Sequence, residues 1–554
     1  MTTTILSLLS ADLLGEYYRR GWWRDETVYG AAARHAAAMP DRPAFRDRYR
    51  RLSWKTLVER ADALSLEFRR RGLKRGNRVA FWMPDRIESV IVMLACSRSG
   101  YVVCPSPHRN HTVEEVRTMV SRMRAAAFLH QPGFGSDAGG RDVAGMIGEL
   151  AHVRASYALP SAGPKDAGRL PFDGIVGATD RVEGLQPPER NPDRVSYLAF
   201  TSGSTGEPKG VMHSDNTLLV TARALTRDWR IGPDSAIYSM SPYSHNLGIG
   251  ALLTAVNSGA ETVIHDTPRG QSIVDRLVET GVTYLVGVPT HAIDLIAELK
   301  RRGMDRLGRV TGFRVSGAAC PPEVKLGLME LGITPQSGYG MTENNSHQYT
   351  HPDDERRLIL ETCGRACEGY EIRIFDPENT DRELARGEIG LVAGRGASLM
   401  LGYFDNQRAT EESFNEHGWF LTGDLGRLTP EGYLQLTGRR KEVIIRGGHN
   451  INPSRIEEMA MGHPAIARAA ALSVPDERLG ERICIAYALE PGAALDIAGL
   501  LAYLADGGLS RYEMPEFRIE ISDMPLMANG KIDKPVISGW IRSGKIVPEP
   551  CPHT

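Results

Sequence analysis

The densest run of chemistry in the chain is Thr201-Ser202-Gly203-Ser204-Thr205-Gly206-Glu207-Pro208-Lys209-Gly210, entered from the short apolar stretch Tyr197–Phe200. Hydroxyls, glycines and a lysine pack badly in a core but make a good cradle for a polyanion. Glycine lets backbone N–H groups approach phosphate oxygens, the hydroxyls donate to them, and the Lys209 ammonium offsets their charge. The string is not a Walker A loop, because Gly210 rather than Ser or Thr follows Lys209, and this lowers the case for a P-loop ATPase. A mobile Ser/Gly turn is the plain alternative, and the full string is too specific for it.

Two further motifs carry carboxylates. Gly338-Tyr339-Gly340-Met341-Thr342-Glu343 sets a carboxylate beside a hydroxyl, oxygen ligands of the kind Mg²⁺ shares with phosphates. Its aromatic among glycines suits a flat purine. Gly418-Trp419-Phe420-Leu421-Thr422-Gly423-Asp424 ends on a lone carboxylate after an apolar strand. Asp424 could accept from both ribose hydroxyls; out of context it would read as a β-turn residue.

In this order, these strings resemble the signatures of the adenylate-forming ligases: acyl-CoA synthetases, peptide-synthetase adenylation domains and luciferases. The resemblance covers nearly the whole chain. It implies that Thr201–Gly206 and Lys209 hold the phosphates of ATP. It also implies that Tyr339 stacks on adenine, that Gly317, Ala318 and Ala319 line the adenine pocket with Gly338, Gly340 and Met341, that Thr342 contacts the α-phosphate, and that Glu343 holds Mg²⁺. Asp424 matches the family's ribose-binding carboxylate, and Arg439 matches its partner. Lys441 falls at the interdomain hinge, Gly447 and Gly448 in the loop that lets pantetheine pass, and Lys531, in Met527-Ala528-Asn529-Gly530-Lys531-Ile532, at the catalytic lysine. Two departures stand out: His449 replaces an acidic residue, and Asn529 replaces a Ser or Thr. Of only ten lysines in the chain, Lys209, Lys441 and Lys531 all land on motif positions, which speaks against chance surface charge.

On the substrate side, Pro242-Tyr243-Ser244-His245-Asn246-Leu247-Gly248 matches the segment at the acyl-pocket entrance, with His245 as the candidate gate. Tyr243, Asn246, Gly248, Val288, Gly317 and Met341 are the expected pocket wall. The implied reaction joins a small-molecule carboxylic acid to coenzyme A through an acyl-AMP, with ATP and Mg²⁺. The Gly21-Trp22-Trp23 opening, the His-Asn-Leu-Gly segment, Gly340–Asn345 and the run Leu479–Gly492 are most similar to short- and medium-chain fatty acyl-CoA synthetases and cyclohexanecarboxylate-CoA ligases. Two alternatives stay open. One is an aryl-acid AMP ligase that loads a carrier protein, a group often carrying Ala where Thr342 stands. The other is a non-catalytic adenylate-binding regulator, against which Lys209, Glu343, Asp424, Arg439 and Lys531 all speak.

The elements that must position these residues alternate helix and strand. Ser53 caps a helix whose apolar residues Trp54, Leu57, Val58, Ala61, Leu64 and Phe68 recur at helical spacing, ended by Gly72. Arg78–Trp82 and Tyr101–Cys104 read as buried strands around a helix over Arg86–Arg98, a βαβ rhythm that implies a parallel sheet. Ile237–Met240, Glu261–His265, Tyr284–Val288 and Phe313–Ser316 continue it. From about Glu388, short strands and turns indicate a β-rich subdomain, and beyond Arg439 a new small unit begins. The expected architecture is α/β: a large N-terminal domain of α/β subdomains plus the β-rich subdomain (1–440), and a small mobile α+β C-terminal domain (441–554).

Composition narrows the partners. Sixty-six Lys and Arg against 68 Asp and Glu leave a formal charge of −2, which argues against nucleic acid or anionic lipid as the main partner. No apolar run approaches a membrane span, and Met1–Leu14 has no basic residue ahead of its apolar stretch, so a secretory signal is not expected. Seven cysteines are sparse, and Cys363 and Cys367 form a lone C-x-x-x-C, so a reduced, cytoplasmic setting is expected. Oligomeric state stays open, a homodimer included.

Overall fold

The computed structural model describes residues 8–176, 184–201, 208–268, 270–440, 442–446, 449–451, 453–476, 478–527 and 530–552. The N-terminal part is built on three sheets. One runs, in spatial order, Gly402–Tyr403, Lys209–Ser214, Val195–Thr201, Val102–Cys104, Arg78–Trp82, Ala125–His130, Ala155–Ala158. From Val195–Thr201 to Ala155–Ala158 its strands are parallel. The second sheet has nine strands, with Thr334–Met341, Gly312–Ser316, Tyr284–Gly287, Ala236–Ser239, Glu261–Val263 and Pro43–Arg46 parallel at its centre. Helices cover the faces, as parallel sheets require. The Ile87–Ser99 helix is buried along almost its whole length, as expected of a helix apolar all round and sandwiched between layers. The third sheet is antiparallel: Tyr370–Phe375, Gly390–Gly396, Phe420–Leu428, Leu434–Arg439.

Local signals act where the sequence puts them. Ser53 caps the Trp54–Arg70 helix by accepting from the Thr56 N–H. The Gly338–Glu343 motif begins within a strand, Thr334–Met341. It turns back at Asn345 into the antiparallel strand Asn345–Tyr349, so the chemistry-bearing residues sit on a tight reversal. Gly340 must be glycine there, because a Cβ would lie 2.0 Å from the Asn345 carbonyl oxygen. The Trp22-Trp23 pair packs the N-terminal segment, and Trp23 is buried and donates to the Ala397 carbonyl at 2.9 Å.

The C-terminal part folds around the long hairpin Ile466–Asp476 and Gly480–Leu489. Helices Pro453–Met461 and Ile497–Asp506 pack in one core and Lys534–Arg542 in another. Both cores are made only of residues from Ile444 onward, so this small domain carries its own hydrophobic support. All seven cysteines are free thiols. Among the described residues no helix is long and apolar enough to cross a membrane.

Candidate functional site

Of the expected site residues, Gly317, Tyr339, Asp424, Arg439 and Lys531 come together where parallel strands of the nine-stranded sheet end, the usual ligand crevice of an open α/β sheet. Asp424 and Arg439 face each other across adjacent antiparallel strands. The Tyr339 hydroxyl donates to Asp424 Oδ2 at 2.6 Å, and Arg439 Nε donates to Oδ1 at 3.0 Å. Both Tyr339 and Asp424 are buried. The carboxylate is thus fixed from two sides by groups of opposite character, a neutral phenol and a guanidinium.

The turn at Met341–Glu343 is pinned by three consecutive carbonyls, each held by a different element. Asn246 Nδ2 donates to the Met341 carbonyl at 3.2 Å, His213 Nε2 to that of Thr342 at 2.7 Å, and the Met400 N–H to that of Glu343 at 2.7 Å. Burial pushes His213 down to about 4, so the imidazole is neutral and donates as one fixed tautomer. Glu343 Oε1 accepts from the Tyr403 hydroxyl at 2.9 Å. Lys209 Nζ lies 4.8 Å from the centre of the same Tyr403 ring. Burial raises the Glu343 carboxyl above its ordinary range, while Tyr403 and Lys209 oppose that shift.

These donors fit Mg²⁺ carried in with a triphosphate. The ion prefers oxygen ligands, keeps several waters, and is commonly held by one or two carboxylates plus substrate phosphates. Among the described residues no three His, Cys, Asp or Glu side chains cluster as a self-sufficient metal cage. A lone buried carboxylate with a hydroxyl beside it is the protein's share of such a site.

Lys531 reaches this place from the small domain. Its neighbour Gly530 has φ +83°, and the Gly530 carbonyl accepts from Thr290 Oγ1 at 3.4 Å. The Lys531 side chain passes close to Gly317, where a Cβ would lie 3.6 Å from its Cε. Burial, and then Arg439, push the ammonium down to about 8, while Asp424 and Glu442 pull the other way. Val288 borders the same seam: a Cβ on Gly530 would approach its side chain to 2.9 Å.

His245 stands at the N-cap of the Asn246–Ser258 helix. Its ring stacks on His108 at 4.1 Å, and His108 stacks on His111 at 5.0 Å. Burial, with Lys531 and His111 nearby, lowers His245 to about 4. Its Nε2 is buried with no hydrogen-bond partner among the described residues. Gly248 is dictated by packing, since a Cβ would lie 2.3 Å from the Pro242 carbonyl oxygen. Tyr243 is buried in the main core beside Ile249 and Leu252, and its backbone N–H donates to Asp85 at 2.8 Å. Ala318 and Ala319 are exposed just past the Gly312–Ser316 strand.

Thr201 ends the Val195–Thr201 strand opposite Lys209. Ser202, Gly203, Ser204, Thr205 and Gly206, the hinge candidate Lys441, and Gly447 and Gly448 lie outside the described residues.

Sequence reading missed His213, Tyr403, His108 and His111. His213, Tyr403 and His108 act through partners far away in the chain and leave no local signature, whereas His111 packs on His108 three residues away.

Residues 32–404 match the model of the AMP-binding enzyme family, and residues 455–531 match the AMP-binding enzyme C-terminal domain. The chain belongs to the AMP-binding enzyme family. It is 30% identical, over 95% of its length and 96% of the relative's, to a salicylyl-CoA synthase / salicylate adenylyltransferase of a Streptomyces species. It is 28% identical to the medium-chain fatty-acid–CoA ligase of Escherichia coli K12, over 94% and 91% of the two chains. The ATP-bound crystal structure of MatB from Rhodopseudomonas palustris superposes with a TM-score of 0.80 at 26% identity, covering 94% of this chain and all of that one.

Proposed function

We propose that this protein is an AMP-forming acid–thiol ligase. A carboxylic acid attacks the α-phosphorus of ATP to give an acyl-AMP and pyrophosphate; the thiol of coenzyme A then attacks the acyl carbon and AMP leaves. In this reading Asp424, held by Tyr339 and Arg439, takes the ribose hydroxyls, and Tyr339 and Gly317–Ala319 border the adenine. Lys209 and Thr342 meet the phosphates. Glu343 would hold Mg²⁺, which when bound would offset phosphate charge. Lys531 bridges the substrate carboxylate and the α-phosphate, and stabilises charge as the two approach. His245, neutral at pH 7, borders the carboxylate without repelling Lys531.

The observation that carries the reading is Lys531: an ammonium from the small domain, buried between Gly317 and the charged pair Asp424–Arg439 of the large one. That is the arrangement adenylation needs. For the second step the small domain (441–554) turns on Lys441 against the large one (1–440), withdrawing Lys531 and presenting Gly447 and Gly448 to the pantetheine. Catalysis is mostly positioning and charge stabilisation.

The acid is of medium size, a medium chain or a ring such as cyclohexanecarboxylate. The salicylate relative favours an aryl acid, and the second reading is an aryl-acid AMP ligase that loads a carrier protein. Pyrophosphate release across aliphatic, alicyclic and aromatic acids, with and without coenzyme A, tests the activity. Thioester formation on coenzyme A alone upholds the first reading, and dependence on a carrier protein would move the assignment to the second.

A further inference from the structure

The turn that carries Thr342 and Glu343 is completed by two buried asparagines. Asn344 is fully buried, and its Oδ1 accepts from the Met341 N–H at 3.0 Å. Asn345 is also buried and has φ +58°, a left-handed backbone uncommon outside glycine. Two carbonyls hold its side chain there: Asn345 Nδ2 donates to Thr217 at 3.1 Å and to Ser398 at 3.0 Å.

Both anchors lead to the same distant stretch of chain. On the first route, Ser398 Oγ also donates to the Asn344 carbonyl at 3.1 Å. A few residues on, Met400 holds the Glu343 carbonyl and Tyr403 its carboxylate. Residues 397–403 therefore grip residues 343–345 repeatedly. Trp23 bonds to the start of this segment, its Nε1 donating to the Ala397 carbonyl at 2.9 Å. Its ring forms one buried cluster with Tyr17, Val220 and Ala397.

On the second route, Thr217 lies in the first turn of the Asp215–Asp228 helix. Its hydroxyl donates at 3.0 Å to Nδ1 of His213, whose Nε2 holds the Thr342 carbonyl. The two residues before Thr217 receive the same distant stretch. Asn216 Oδ1 accepts from the Arg24 N–H at 2.9 Å, and Asp215 Oδ2 from the Val28 N–H at 3.1 Å. Asn216 Nδ2 in turn donates to the Tyr18 hydroxyl at 3.2 Å. Residues 17–28 thus bond to both supports of the turn.

Resting on the ligase reading, we propose that residues 17–28 position the Glu343 carboxylate for Mg²⁺, Trp23 acting through residues 397–403 and Tyr18 through Asn216 and the Asp215–Asp228 helix. Both are positioning residues. Mg²⁺ demands near-ideal octahedral geometry, and a misplacement of about 1 Å can cost on the order of 10²-fold. A packing role alone would stabilise the fold and leave the response to Mg²⁺ unaltered.

The test is calorimetric titration of the full chain with ATP, once in Mg²⁺ and once in excess chelator. The ratio of the two Kd values is the factor by which Mg²⁺ tightens binding. Trp23→Phe keeps an aromatic ring and removes the Nε1 donor. It should lower that factor by about threefold or more, the scale of one hydrogen bond, and leave the chelated Kd within about twofold. Tyr18→Phe, at a half-buried side chain, should shift the factor the same way, and it serves if Trp23→Phe does not fold. Tyr403→Phe removes the hydroxyl on Glu343 directly. Because Trp23 acts through the segment that carries Tyr403, the double variant should fall short of the product of the two single effects. A lowered unfolding temperature with an unchanged factor, or a double variant at the full product, would overturn the inference. So would an unaltered protein that binds ATP equally in Mg²⁺ and in chelator. The ligase reading fails by a separate sign: no carboxylic acid then elicits pyrophosphate release, whatever the factor does.

Discussion

The two sides of the candidate site, the one proposed for the nucleotide and the one proposed for the acyl group, are built on opposite plans. Around Asp424, Thr342 and Glu343 the protein supplies its own partners: Tyr339 and Arg439 for one carboxylate, Tyr403 for the other, and three separate donors for the turn carbonyls. Around His245, buried donors and acceptors have no partner among the described residues. The first plan fixes geometry before the ligand arrives, as charge stabilisation of a reacting phosphate demands. The second leaves costs that a ligand must relieve, which is how a pocket discriminates between acids of similar shape. On the proposed reading, reaction type and substrate choice are carried by different residues and should fail separately when mutated.

Perturbing each side breaks or sharpens this contrast. Lys531→Ala should have the largest effect, about 10²–10³-fold in acid-dependent pyrophosphate release, the range seen when one charge-stabilising donor is removed. Asp424→Asn comes next. A charge-assisted hydrogen bond is worth about 1.5–3 kcal/mol, so KM for ATP should rise by about 10- to 150-fold, while the order of preference among acids stays the same. A changed acid order would mean that the two sides are not independent.

The pH profile follows. In its proposed role Lys531 must be protonated to bridge two anions, and burial pushes its ammonium down to about 8. Pyrophosphate release should therefore hold steady between pH 6 and 7 and fall as pH rises through about 8; His245, neutral above about 4, should add no further limb in that window. A rate still rising at pH 9 would contradict a protonated Lys531. The smallest effect belongs to Tyr403→Phe. It removes a single hydrogen bond of about 0.5–1.5 kcal/mol and should raise the Mg²⁺ concentration needed for half-maximal rate by about 2- to 10-fold.

What could be read from the sequence follows the same division. Lys209, Glu343, Asp424, Arg439 and Lys531 sit in short strings whose glycines and hydroxyls announce a phosphate or a turn, so local reading finds them. The strand alternation was equally legible, because parallel strands are apolar on both faces, though ends moved by a residue or two and the Gly338–Met341 stretch proved to be strand. Their supports were not legible. Tyr403 meets Glu343 from 60 residues away and His213 meets Thr342 from 129, and such pairings exist only once the sheets assemble.

The most direct measurement supplies the acyl-AMP ready-made. Lys531→Ala and the unaltered protein are each given a synthetic acyl-adenylate and coenzyme A, and thioester formation is timed. If Lys531 acts by joining the acid to the α-phosphate, the variant should form thioester within a few-fold of the normal rate while failing to make the adenylate itself. Equal loss in both half-reactions would contradict that role.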